Sequence, residues 1–331
     1  MKILSLRILL VLSLLLGVGT VSPVWAAASE TSSANVNIEQ WTGHSFTFLT
    51  LPGDAQSAGY DIFTEDQATQ GFQGDRSVRI PYAQHVGKQV TVTGIVPFAV
   101  GDNQQEYMVH MTVNDTGEKL LGRSMRGQLE GLVLTADLNN ARQQFLGKTV
   151  YPKVRELSGL YVPGTTSQAV ATTIGSPVTV VDVYTGNQSQ EPIYLVVSVN
   201  GQKAILPIAY SWTNIPIQSW TQTPGWQNSL FTEDPRISLG GSPDVWTQIE
   251  TGNIAEGMTK GQVNLSWGKP FRTEANDSVW IYGSQKLSFD GDVLHSIEAL
   301  SETSVVAPAA PAVTPTQSPA VAPTESAEHP F

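Results

Sequence analysis

The side chains that could do chemistry in this 331-residue chain are few and scattered. Asp115-Thr116-Gly117 matches the aspartic-protease triplet, in which two carboxylates paired across a dyad share one proton. An apolar residue normally precedes that Asp. Here Asn114 precedes and Glu118 follows, so the segment reads as a hairpin turn. Gly122-Arg123-Ser124-Met125-Arg126-Gly127 lacks the spacing of a nucleophile elbow and also reads as a turn. The histidines His44, His85, His110, His295 and His329 are isolated, with no pair at i, i+4. Cysteine is absent, so nothing local assembles a metal site, and neither metal nor cofactor is expected. Phe63-Thr64-Glu65-Asp66 recurs as Phe231-Thr232-Glu233-Asp234, but each run has too few alternating oxygens for a calcium loop, and chance or helix capping explains it. An acid-type hydrolase built from carboxylates distant in sequence stays open, because such dyads carry no local motif. The remaining candidates are aromatic. Tyr210, Trp212, Trp220 and Trp226 crowd one proline-containing stretch. Exposed, they could stack on glycans or grip a peptide; packed, they would staple that stretch to its neighbour.

The elements that would position these residues follow from composition and pattern. Residues 1–28 read as a signal peptide: Lys2 and Arg7 form a basic start, Ile8 to Val18 an apolar run, and Val24-Trp25-Ala26-Ala27-Ala28 a small-residue cleavage region. The run falls short of the roughly 20 residues that a membrane helix needs, and no second one follows. The chain is therefore expected to be exported, to the periplasm or cell envelope or beyond it, with no integral membrane span. Zero cysteines excludes disulfides, a lipidated anchor and thiolate zinc. Eighteen Lys and Arg against 29 Asp and Glu give a net charge of −11, and only 14% of residues are charged. No basic patch exists to hold nucleic acid.

Residues 29–155 read as a β-rich domain with one helix near 136–146, for which Thr135 is the cap and Gly147 the stop. Strands recur behind glycine turns at Gly43, Gly87, Gly147 and Gly175, at intervals too irregular for a solenoid. Residues 156–211 form a small barrel-like module whose last strands, Ile193 to Val199 and Ala204 to Ile208, flank an Asn200-Gly201 hairpin. That meander resembles bacterial Src-homology-3-like barrels. Residues 212–241 are an aromatic, proline-containing connector. Residues 301–331 are a low-complexity Pro/Ala/Thr tail whose composition cannot build a core.

Residues 242–300 carry the clearest local signals. Ser242-Pro243 starts one helix, and Thr259 with Gln262 forms the capping box of a second. Gly268 and Pro270 stop that helix. Three short strands follow: Val279 to Tyr282, Leu287 to Asp290, and Val293 to Ile297 after an Asp290-Gly291 turn. The fold class is thus mainly β and multidomain, with barrel-like modules and a C-terminal α+β domain of order helix-helix-strand-strand-strand. Gly257-Met258-Thr259, Val263, Gly268, Pro270 and Trp280-Ile281-Tyr282 give this last domain a resemblance to the BamE (SmpA/OmlA) family of small outer-membrane assembly lipoproteins. The family carries a lipidated cysteine, which this chain lacks. The resemblance implies a non-enzymatic α+β scaffold that contacts partner proteins or lipid headgroups at the envelope. The function expected is an envelope interaction or assembly-accessory role by surface recognition. The alternative is a wall- or glycan-binding module using Tyr210, Trp212, Trp220 and Trp226.

Overall fold

The computed structural model describes residues 35–100, 105–160, 168–215 and 225–300. Residues 1–28, read as a signal peptide, residues 301–331 and Trp220 lie outside the described residues. The architecture is mainly β, in three antiparallel sheets.

The first sheet contains β1 (Ser45–Phe48), β2 (Tyr60–Thr64), β3 (Arg79–Ile80), β4 (Gln89–Ala99), β5 (Gln105–Val113), β6 (Lys119–Arg123) and β7 (Leu132–Leu134), in the order β3-β2-β6-β5-β4-β1-β7. Short helices α1 (Gly53–Gln56), α2 (Ala68–Phe72) and α3 (Tyr82–His85) fill its connections. Period-two alternation sets which side chains meet. Phe46 and Phe48 of β1 enter a core with Trp41, Tyr60, Val109 and Met111, while Thr47 points the other way and shares a 2.9 Å hydrogen bond with Thr135. β7 behaves alike: Leu132 and Leu134 enter this core, and Val133 enters the next one. Asp115, Thr116 and Gly117 form the turn between β5 and β6, with Gly117 at φ +74° and Asp115 paired to Lys88 at 3.3 Å. The turn reading of that triplet therefore holds.

Helix α4 (Thr135–Phe145) packs against β1 and β7 of the first sheet and against the second sheet as well. It starts one residue earlier than the sequence suggests. Thr135 is its first helical residue, not its cap, because the Thr135 hydroxyl is bonded across to Thr47. The second sheet holds β8 (Thr149–Pro152), β9 (Glu156–Gly159), β10 (Ala169–Ala171), β11 (Val178–Thr185), β12 (Ile193–Val199), β13 (Gln202–Ile208) and β14 (Leu230–Phe231), in the order β10-β9-β13-β12-β11-β8-β14. β12 is buried along nearly its whole length, as an apolar run covered on both faces should be. Asn200 and Gly201 take φ +50° and +83° and close the hairpin to β13, which is what a two-residue turn between right-twisted strands requires. A division at 155/156 falls between β8 and β9 of one sheet. Leu138, Ala141, Phe145 and Val150 share a single core with Val180, Leu195 and Leu206, so residues 135–155 pack with the second sheet. The stretch 212–241 is partly regular too, since it supplies β14 and helix α5 (Pro235–Leu239), N-capped by Asp234.

Helices α6 (Pro243–Thr251) and α7 (Lys260–Trp267) precede a sheet of β15 (Arg272–Glu274), β16 (Val279–Tyr282), β17 (Gln285–Asp290) and β18 (Val293–Ala299). Ser242 caps α6, and the Thr259–Gln262 capping box opens α7. Trp246, Ile249, Met258, Val263, Trp280, Leu287, Phe289 and Leu294 form the core, and Ile174 from the second unit joins them. Arg155, in the β8–β9 turn, donates to the carbonyls of Ile249, Glu250 and Ser266 at the C-terminal ends of α6 and α7. Ile249 O is reached at 3.2 Å by the Gly252 N–H of its own helix end, and Arg155 adds a charged donor to all three carbonyls; a cation there also opposes the helix dipoles. Arg236 adds bonds to Gly175 O at 2.7 Å and to the Glu250 carboxylate at 2.6 Å.

Replacing Arg155 by Ala is expected to destabilise the 235–300 unit by about 3 kcal/mol, since three carbonyls lose a charged donor together. Arg155→Lys should recover less than half of that, because an ammonium cannot present the guanidinium fork. Chemical denaturation read by hydrogen exchange checks this. Unchanged protection of α6 and α7 in both variants would show that the joint is held by other contacts.

Candidate functional site

The structure separates the aromatic candidates. Tyr210 is only 8% exposed and donates its hydroxyl to Gln144 Oε1 at 2.6 Å. Trp226 is 6% exposed and meets the Phe145 ring edge-on at 5.2 Å. Both belong to the core of the second sheet, so they staple the connector to it and offer no face to a ligand. Burial of their large apolar area explains why such rings concentrate at a joint. Trp212 is different. It is half-buried, its backbone N–H is held by Asn35 Oδ1 at 2.6 Å, and it lines a groove of about 460 Å³ with Glu39, Gln105, Tyr107, Arg126 and Gln128. The Tyr107 hydroxyl donates to Glu39 Oε1 at 2.6 Å, and that bond is the main reason its pKa is raised.

Beneath this groove sits the buried carboxylate of Glu106. It accepts from Ser124 Oγ and from the backbone N–H of Arg126, both at 2.7 Å. Burial pushes its pKa up. The bonds from Ser124, Arg126 and Gly127, with the charge of Arg123, outweigh burial and hold it below the usual carboxylate range. Ser124 is fully buried and also accepts from the N–H of Tyr107, so its hydroxyl is engaged in holding this loop. The histidines remain apart. His85 is buried between Pro81 O at 2.9 Å and Glu118 Oε2 at 3.0 Å, His110 meets Glu65 at 3.3 Å, and His44 and His295 lie at the surface. His329 is outside the described residues. Among the described residues no three His, Asp or Glu side chains gather around a common point.

A larger cleft, of about 830 Å³, opens between α7 on one side and the β8–β9 turn with β14 on the other. Lys153, Val154, Phe231, Leu265, Trp267 and Lys269 are among the residues lining it. The Lys153 ammonium lies 4.0 Å from the Phe231 ring centroid and donates to Gln227 O at 2.5 Å. Trp267 donates its indole N–H to Gly252 O at 2.8 Å and packs edge-on with Tyr282 at 5.3 Å. Lys269 is exposed and has no ion-pair partner among the described residues. Two residues on, Phe271 is 83% exposed. Sequence reasoning missed this cleft because its walls come from segments about a hundred residues apart. The one local signal was an aromatic placed directly after the Gly268–Pro270 helix stop.

Glu106→Gln should cost about 2 kcal/mol near neutrality, by weakening the charge-assisted bonds to Ser124 and Arg126. A carboxylate with a depressed folded pKa stabilises the fold above its unfolded pKa and loses that contribution as pH falls through the folded value. The gap between parent and variant in urea melts should therefore narrow below about pH 4. A gap independent of pH would contradict the assignment.

No family model matches the chain, and neither the curated proteins nor the solved structures compared with it include a match.

Proposed function

We propose that this chain is an exported, non-enzymatic interaction protein of the cell envelope, an assembly accessory that works by surface recognition. The observation that carries the reading is Phe271. A ring left 83% exposed, two residues after the cleft-lining Lys269, which has no ion-pair partner among the described residues, suits a partner's surface. The polar groups around the cleft favour binding over bond-breaking, since Arg155 is committed to three carbonyls and Lys153 to Gln227. In this reading residues 242–300 are a BamE-like domain, the two larger sheets are barrel-like modules, and residues 1–28 direct export. The partner is an envelope protein.

A second reading, binding of wall glycan, is favoured by the Trp212 groove. There an aromatic face stands beside the amides of Gln105 and Gln128, groups that match sugar hydroxyls.

One paired experiment tests both readings. The mature chain and its Phe271→Ser and Trp212→Ala variants are assayed for recovery of envelope proteins from an extract and for co-sedimentation with purified cell wall. The expected result is at least a tenfold loss of protein recovery for Phe271→Ser, with wall sedimentation low throughout. Strong wall sedimentation abolished by Trp212→Ala, with protein recovery indifferent to Phe271→Ser, would replace the first reading by the second.

A further inference from the structure

Resting on the recognition reading, we infer that the cleft between α7 and the β8–β14 pair takes an extended acidic peptide segment that seats an apolar side chain on the cleft floor. Charge is the first reason. The lining brings together Lys153, Arg155 and Lys269 against Glu156 alone, in a chain whose net charge is −11. Three cations against one carboxylate, on an acidic protein, favour an anionic ligand at this cleft. Among the described residues Lys269 has no ion-pair partner, whereas Arg155 and Lys153 are held in place by backbone carbonyls.

The floor is the second reason. The partly buried Phe231, Leu239 and Leu265 share the lining with the cations, and a bare anion would leave that apolar surface wet. The ligand must therefore carry both character types within a short span, as a peptide of alternating acidic and apolar residues does. The third reason concerns the rings. The Phe231 face is covered by the Lys153 ammonium at 4.0 Å, and Trp267 is engaged by Tyr282 and by Gly252. Neither offers the open platform that a sugar ring needs. Three cations on an acidic chain are also too few for nucleic acid, whose affinity comes from many phosphate contacts. Phe271, two residues beyond Lys269 in the chain and 83% exposed, is available to give a longer segment a second contact.

The test uses the full mature chain and fluorescence anisotropy with a labelled hexapeptide pool alternating Glu with Phe or Leu. A matched pool with Lys in place of Glu and vesicles of anionic phospholipid serve as comparisons. The Glu pool should bind and the Lys pool should not. Lys269→Glu and Phe271→Ser should each weaken binding of the Glu pool at least fivefold with unchanged thermal melts, since both positions are exposed. Added salt should weaken binding further. Equal binding of both pools, no effect of Lys269→Glu, or preference for the vesicles would overturn the inference. If the two variants lower recovery of envelope proteins while the Glu pool fails to bind, the acidic-peptide inference falls and the recognition reading stands. If the Glu pool binds as described while recovery of envelope proteins ignores both variants, the recognition reading falls instead.

Discussion

The guanidinium of Arg155 is the interaction on which the geometry of the main cleft depends. Helices end with carbonyls that no backbone donor can reach, and a buried end must borrow donors from elsewhere. Here α6 and α7 end side by side, and one side chain from a different sheet serves both, through Ile249, Glu250 and Ser266. The neighbouring ends are closed locally: Ser266 Oγ donates to Asn253 O at 2.7 Å and Trp267 Nε1 to Gly252 O at 2.8 Å. Because the cleft has α7 as one wall and the segment around Arg155 as the other, the bonds that satisfy the helix ends also fix the width of the cleft. Ile174 in the third core and Arg236 on Gly175 hold the same joint from a second direction.

The joint between the first two sheets follows a similar logic without a guanidinium. Asn214, at φ +60°, donates to the carbonyls of Leu129 and Leu132 and accepts from the N–H of Leu129 at 2.8 Å. Ser211 donates to the buried carboxylate of Asp137 on α4. Val36 N–H reaches Thr213 Oγ1 at 3.0 Å, so the start of the described chain lies against the same strap. The Trp212 groove sits in this strap, between residues that are each tied down. The long β4–β5 hairpin departs from the packed body. Beyond Gly94, β4 pairs only with β5, and Pro97 on its free edge lacks the N–H that another strand would pair with.

What the sequence made legible was local. The Ser242-Pro243 start, the Thr259–Gln262 capping box, the Asn200-Gly201 turn and the glycine stop after α4 each involve residues within four positions of one another, and the physics that fixes them is complete at that range. What stayed hidden was nonlocal. β7 and β14 are two or three residues long and have no period to read; they exist because β1 and β8 offer them an edge. β15 is exposed at all three residues and gives no apolar alternation. Arg155 looks like any turn arginine until the helix ends arrive from about a hundred residues downstream. Tyr210, Trp212 and Trp226 are chemically alike in sequence, and only packing separates two core residues from one groove residue.

The claim that the α7 cleft is a recognition surface is tested most directly by photo-cross-linking in cells. A photoreactive amino acid is placed at position 271, and for comparison at position 146, another exposed apolar site. The account predicts a discrete adduct from position 271 that disappears when Lys269 is changed to Glu, and none from position 146. An absence of adduct at 271, or the same smear of adducts from both positions, would contradict it.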